Sequence, residues 1–184
     1  MHALDHAGGE LEGEAYSRIS PFRQAPVIDD GGFVVAESAA IVLYLAEKAG
    51  RLIPSDVQGR TRVVQWCFAA VSTVGSTLVS IDMIEIFDSD KTAPKLHSEM
   101  YKLAGRWLGG VERRLQDRTW IATDDFTVAD LMMAGVLRGI RKTELMDPFP
   151  KLKAYYERCF ARPAWQRTLA LYAERLGVTT DEIR

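Results

Sequence analysis

The chain has 184 residues, 47% of them hydrophobic. That is enough apolar side chain to bury a core, in one compact domain or in two small ones sharing an interface. Its 23 Lys and Arg against 25 Asp and Glu, a formal net charge of -2, supply no broad positive field for a phosphate backbone and argue against a nucleic-acid role.

Two cysteines, Cys67 and Cys159, belong to no CxxC pair and no Cys/His cluster, so neither a disulfide framework nor a zinc site is expected. The segment Met1-His2-Ala3-Leu4-Asp5-His6 lacks a basic stretch followed by an apolar run, and no later stretch approaches about 18 consecutive apolar residues. Free thiols, cytoplasmic residence and no membrane partner are the expectations. Residues 1–58 hold 9 acidic and 4 basic groups, whereas residues 59–184 hold 16 and 19. The pattern also changes near Gly59, from short β-prone pieces to long helical periodicities.

In chain order, residues 25–28 read as a short extended piece. Asp29-Asp30-Gly31-Gly32 is a tight reversal whose glycines tolerate positive φ, and Phe33-Val34-Val35 returns as a second strand, giving a β-hairpin. Ser38–Ala49 carries Ile41, Leu45 and Ala49 at spacings of four, flanked by Val42 and Leu43, and Gly50 stops it. Arg51-Leu52-Ile53-Pro54-Ser55-Asp56 reads as a linker.

The spacing of Val63, Val64, Cys67, Phe68, Val71, Val74 and Leu78 predicts a long helix over 59–86, where Gly75 bends the rod or admits a close neighbour. Leu96, Met100, Leu103, Trp107, Leu108, Val111 and Leu115 predict a second over 94–116, and two such helices pair side by side. Its Arg113 and Arg114 complement the negative pole. In Phe126-Thr127-Val128-Ala129-Asp130, Thr127 caps a helix running to about Gly139, Asp130 reaches back to the cap amide, and Phe126 staples to Leu131, a role in stability. Shorter helices follow at 149–160 and 163–174, the latter opened by Pro163. His2, His6 and His97 form no cluster and read as surface or near-terminal residues. Asp82, Asp88 and Asp90 lack the spacing of a calcium loop and read as solvated acids.

Taken together, Ser20-Pro21-Phe22-Arg23-Gln24-Ala25-Pro26, then Glu37-Ser38-Ala39-Ala40-Ile41 with Tyr44-Leu45, then Thr127 through Asp130 resemble the glutathione transferase family, bacterial type, from its second strand onward, over roughly residues 1–175. The resemblance implies an α/β plus all-α fold: a partial thioredoxin-like domain at 1–50, a linker at 51–58 and an all-helical domain at 59–184. It also implies a homodimer binding glutathione near its interface without a metal, and conjugation of reduced glutathione to a small hydrophobic electrophile. Pro26 would be the family's cis proline, with the Ala25 backbone pairing with the cysteinyl part of glutathione. Ser38 would offer a hydroxyl and an N–H to the γ-glutamyl carboxylate, and Glu37 would accept from its ammonium. Read from the residues alone, Ser38 is a helix N-cap and Glu37 a solvated turn acid. Gln24 either meets the glycyl end or is ordinary surface. Trp66, Ala70 and Thr73 are candidates for the electrophile pocket, with burial in the core as the plainer reading.

In the family the segment carrying the catalytic Ser, Tyr or Cys precedes this region, and only 25 residues precede Pro26 here. The expectations are therefore a missing first strand and helix, disorder or rearrangement across residues 1–18, with 1–4 standing for the family's next strand, and impaired turnover. Tyr16 and Ser17 read as loop residues, and neither cysteine is placed to substitute. The alternatives are a non-catalytic binding or protein-interaction module and a helical scaffold with an irregular appendage.

Overall fold

The structure is a computed structural model that describes residues 4–5, 8–88 and 92–183. A 3-10 turn at Glu10–Glu12 leads into a short helix, α1 (Glu14–Ile19), followed by β1 (Val27–Asp30) and β2 (Phe33–Ala36). The strands pair antiparallel with Val27 opposite Ala36 and Asp30 opposite Phe33. The reversal is therefore the two residues Gly31 and Gly32, at φ 65° and 93°, and Asp29 and Asp30 belong to the strand. A two-residue turn with positive φ at both positions matches the right-handed twist of the strands, which explains the double glycine. A two-stranded hairpin is marginal in water by itself. Here α2 (Ser38–Ala49) packs against both strands, and α1 against β2.

Helices make up the rest: α3 (Val57–Phe68), a π-helical segment (Ala69–Gly75), α4 (Ser76–Phe87), α5 (Pro94–Arg114), α6 (Val128–Arg138), α7 (Pro150–Phe160), α8 (Pro163–Leu176) and α9 (Thr180–Ile183), with a 3-10 turn at Glu144–Met146. The architecture is thus a small β-containing N-terminal part followed by a mostly helical C-terminal one. Their shared core runs from Ala46 of α2 through Val63, Cys67, Leu108, Met133 and Leu137 to Leu152 and Tyr155. Full burial of a large apolar side chain contributes roughly 1.5–3 kcal/mol, against roughly 0.5–2 kcal/mol for a helix cap. The core accordingly places the helices, and the caps set where they begin.

The single helix expected over 59–86 starts two residues earlier, because the Asp56 carboxylate accepts from the Gly59 N–H at 2.8 Å and caps α3. Its register also changes at the π segment. Gly75 lies there because a Cβ would stand 2.7 Å from the Ala70 carbonyl oxygen and 3.3 Å from Val136 on α6. The continuous helix Val57–Phe87 is long and apolar enough, by length and composition, to cross a membrane, although no run of consecutive apolar residues suggested it. The hydroxyls of Ser72, Ser76, Thr77 and Ser80 bond back to carbonyls one turn earlier and so leave its surface apolar. Of its most apolar stretch, 39% is buried within the fold.

Several expectations are corrected. Of the two outcomes expected across residues 1–18, disorder or rearrangement, the described part excludes disorder: α1 carries Tyr16 and Ser17, which are not loop residues, and Tyr16 is only 7% exposed. Leu4 lies in no strand, and residues 1–3 fall outside the described ones, as do His2, His6 and Asp90. The segment 51–56, read as a linker, carries no helix or strand and is anchored where the Leu52 carbonyl accepts from the Val128 N–H at 3.0 Å. His97 is 7% exposed, held by Asp88 at 2.9 Å with Glu85 3.4 Å away, so neither His97 nor Asp88 is a free surface group. Phe126 packs edge-on against Trp120 and under the Arg162 guanidinium, while Leu131, its expected staple partner, is exposed.

Candidate functional site

The expected cap of α6 forms with more partners than its sequence implies. The Thr127 hydroxyl accepts from the Ala129 N–H at 3.3 Å, and Asp130 accepts from the Thr127 N–H at 2.8 Å. The same buried carboxylate also accepts from the Ile121 N–H at 2.8 Å and the Tyr155 hydroxyl at 3.0 Å. Burial pushes the Asp130 carboxyl up, and these donors oppose that shift. The group is enclosed by protein and acts on stability.

The ligand-facing geometry lies elsewhere, where the segment entering β1 meets the junction of β2 and α2. Gln24, Ala25, Pro26, Glu37 and Ser38, distant along the chain, line one pocket of about 100 Å³ together with Ser20. The Ala25–Pro26 peptide bond is cis. Gln24, Ala25 and Pro26 are exposed, as is Glu37.

Glu37 has φ 71° and ψ 118°, a backbone conformation that non-glycine residues adopt at a cost of about 1–3 kcal/mol and that clusters at binding sites. Its carbonyl accepts from the Ile41 N–H at 2.9 Å and so opens α2. Glu37 is therefore the N-cap position and Ser38 the first helical residue, which corrects the reading of Ser38 as the cap. No side chain caps this helix. Its first-turn N–H groups are left at the positive pole, where an anion is favoured.

Tyr16 and Ser20, which the sequence reading gave no role, approach the same pocket from α1. The Tyr16 hydroxyl donates to the Gln24 carbonyl at 3.1 Å. Ser20 Oγ lies 3.0 Å from both the carbonyl oxygen and the N–H nitrogen of Gln24. The one available signal was the helical spacing of Tyr16 and Ser20, four residues apart.

The three pocket candidates on the long helix are not brought to this site as a group. Ala70 is fully buried in the core. Trp66 packs partly against the core, with the Arg114 guanidinium 5.6 Å from its ring. Thr73 is half-buried in the π segment, its carbonyl accepting from the Thr77 hydroxyl at 3.0 Å. Cys67 and Cys159 are buried thiols pushed up to about 11 and about 12, first by burial and then by the Asp130 charge, so both stay protonated and unreactive. Among the described residues no group of three His, Cys, Asp or Glu side chains is placed to hold a metal ion. A larger, open depression of about 600 Å³ at the start of α5 includes none of the candidate residues.

Comparison with known proteins gives the same order of parts. Residues 4–48 match the sequence profile of the glutathione S-transferase N-terminal domain, and residues 78–163 that of the C-terminal domain. A glutathione S-transferase of Arabidopsis thaliana is 28% identical over 182 residues, covering 92% of this chain and 84% of its own length. A disulfide-bond oxidoreductase of Escherichia coli (strain K12) is 27% identical over 170 residues, covering 88% and 78%. The crystal structure of a Burkholderia graminis glutathione transferase with two glutathione molecules bound per subunit superposes with a TM-score of 0.82 at 27% identity, covering 92% of this chain and 76% of that one. With both domain profiles matched in their expected order over a fold of the same design, the chain belongs to the glutathione transferase family.

Proposed function

We propose that this protein binds reduced glutathione in the pocket between β1 and α2 and joins its sulfur to a small hydrophobic electrophile. The observation that carries this reading is the convergence of Gln24, Ala25, Pro26, Glu37 and Ser38 on one pocket beside an uncapped helix start. Ser38 and the first amides of α2 would receive the γ-glutamyl carboxylate, and Glu37 would accept from its ammonium. The Ala25 N–H and carbonyl would pair with the cysteinyl part, and Gln24 would meet the glycyl end. In the reaction the thiol loses its proton and the thiolate forms a carbon–sulfur bond. A leaving group departs with the electron pair, or a polarised double bond takes the pair and then a proton.

Trp66 and Thr73, backed by Ala70, are proposed as the wall nearest the electrophile. The units at 1–50 and 59–184, joined through 51–58, are proposed as the working domains of a cytoplasmic homodimer. The five glutathione-facing residues grip the peptide, and none is assigned the activation of its thiol. These 184 residues are therefore expected to bind glutathione more effectively than they turn it over.

Calorimetric titration with reduced glutathione tests the reading. Saturable binding is expected, weakened about 10- to 100-fold in Ser38→Ala, as for loss of hydrogen bonding to a charged group. The variant should stay folded because Ser38 caps nothing. No binding by the folded wild-type chain would overturn the reading, and binding without turnover of any electrophile would leave a non-catalytic binding module.

A second reading has its own support. One relative is a disulfide-bond oxidoreductase, and the Burkholderia structure holds two glutathiones. In that chemistry one glutathione thiolate attacks a disulfide and releases a thiol, and a second glutathione resolves the mixed disulfide to glutathione disulfide and a second thiol. Parallel assays with an aromatic halide and with a small dialkyl disulfide separate the two reactions.

A further inference from the structure

From the geometry beneath the pocket we infer that Tyr16 and Ser20 are positioning residues that aim the Ala25 N–H at the cysteinyl part of glutathione. This rests on the reading that Ala25 receives that part of the ligand.

Ser20 is 1% exposed, and its N–H donates to the Tyr16 carbonyl at 2.9 Å, which ties the end of α1 to the start of the loop. Its hydroxyl oxygen lies 3.0 Å from the Gln24 carbonyl oxygen, to which it donates, and 3.0 Å from the Gln24 N–H, from which it accepts. The Tyr16 hydroxyl donates to the same carbonyl at 3.1 Å. Two buried hydroxyls are thus committed to one carbonyl of an exposed loop residue.

That carbonyl belongs to the peptide unit whose other polar group is the Ala25 N–H. The Gln24–Ala25 bond is not among the cis bonds, so the unit is trans and its C=O and N–H point to opposite sides of the chain. Holding the carbonyl toward α1 turns the Ala25 N–H the other way. Donation to the carbonyl also polarises the amide and makes its N–H a better donor. The side chain of Gln24 takes no part, which leaves it available to another portion of the ligand. The clamp therefore prepays the ordering of the peptide plane before glutathione arrives.

The test uses the full chain with Tyr16→Phe, which keeps the buried ring and removes only the hydroxyl, and with Ser20→Ala. Reduced glutathione is titrated calorimetrically, and the Ala25 amide is followed by nitrogen–proton NMR. The dissociation constant is expected to rise about three- to tenfold in Tyr16→Phe, the effect of one hydrogen bond, and further in Ser20→Ala. In wild type the Ala25 amide proton is expected to move downfield on saturation, and by less in each variant. A role confined to stability would lower the melting temperature and leave both the affinity of the folded protein and this signal unchanged, which would overturn the inference. Should Ser20→Ala fail to fold, Tyr16→Phe alone decides. If wild type binds and Tyr16→Phe binds equally well, the inference fails while the proposed function stands. If wild type does not bind, both fall.

Discussion

Asp130 shows how much one buried side chain can be asked to hold. It has 0% exposure and accepts from two main-chain N–H groups and the Tyr155 hydroxyl, linking the loop before α6, the start of α6, and α7. Replacing it with Ala leaves these three buried donors, and the Thr127 hydroxyl that also donates to it at 3.3 Å, without their partner, at about 1–3 kcal/mol each. A loss of at least about 3 kcal/mol is expected in urea unfolding, and a loss under 1 kcal/mol would contradict the network. Asp88, whose side chain is 20% exposed, carries the opposite shift. The Thr92 hydroxyl first, then the Ala93 N–H and the His97 ring, hold its carboxyl well below the usual carboxylate range. Because the folded value is depressed, its stabilisation is fully present above the unfolded value of about 3.9 and is lost as pH falls toward the folded one. The melting-temperature gap between wild type and Asp88→Asn should therefore be present at pH 5 and shrink between pH 4 and 2.

At the scale of elements, the hairpin, α2 and α6 were legible because their signals are local. Gly31-Gly32 satisfies the turn, Gly50 stops a helix in a left-handed conformation at φ 60°, and Thr127 with Asp130 starts another. The π segment was not legible, because it answers to α6 packing against it across the core. Gly75 is where the two meet. Ala at this position would gain about 1 kcal/mol of helix propensity, but its Cβ would press on the Ala70 carbonyl, a backbone atom that cannot rotate aside. Overpacking typically costs about 1–3 kcal/mol, so Gly75→Ala is expected to lower the melting temperature despite the better helix former. A rise would show that the segment relaxes to a regular α-helix. Glu112 makes the same point, since its local contact with the Gln116 side chain at 3.4 Å gives no sign of its partners on α7. Its carboxylate accepts from the Lys151 and Leu152 N–H groups at 3.2 and 2.8 Å and caps α7.

For the whole molecule, one face of α4 is left over. Val79, Met83, Ile86 and Phe87 are all exposed, Phe87 by 83%, on a helix whose opposite face, through Leu78 and Ile81, is core. An exposed apolar stripe on a helix is the kind of surface a partner subunit would cover, and it is proposed as the face of the homodimer. Sedimentation equilibrium is expected to give twice the 20.6 kDa chain mass for wild type. Phe87→Glu combined with Met83→Glu should shift it to monomer, and an unchanged mass would place the dimer interface elsewhere.

By itself the sequence determined the helical periodicities, the turn and cap residues, and the order of motifs that resembles glutathione transferases. The periodicities, turns and caps rest on chemistry within about one turn of chain, and the resemblance rests on their order along it. Only the tertiary structure decided that Tyr16 and Ser20 hold Gln24, that Ser38 caps nothing, that His97 is enclosed by Asp88 and Glu85, and that Asp130 serves Tyr155. Those facts depend on which donors and acceptors lose water together when distant elements pack. A buried polar group must then find a partner wherever the fold supplies one, and that choice is made in space rather than along the chain.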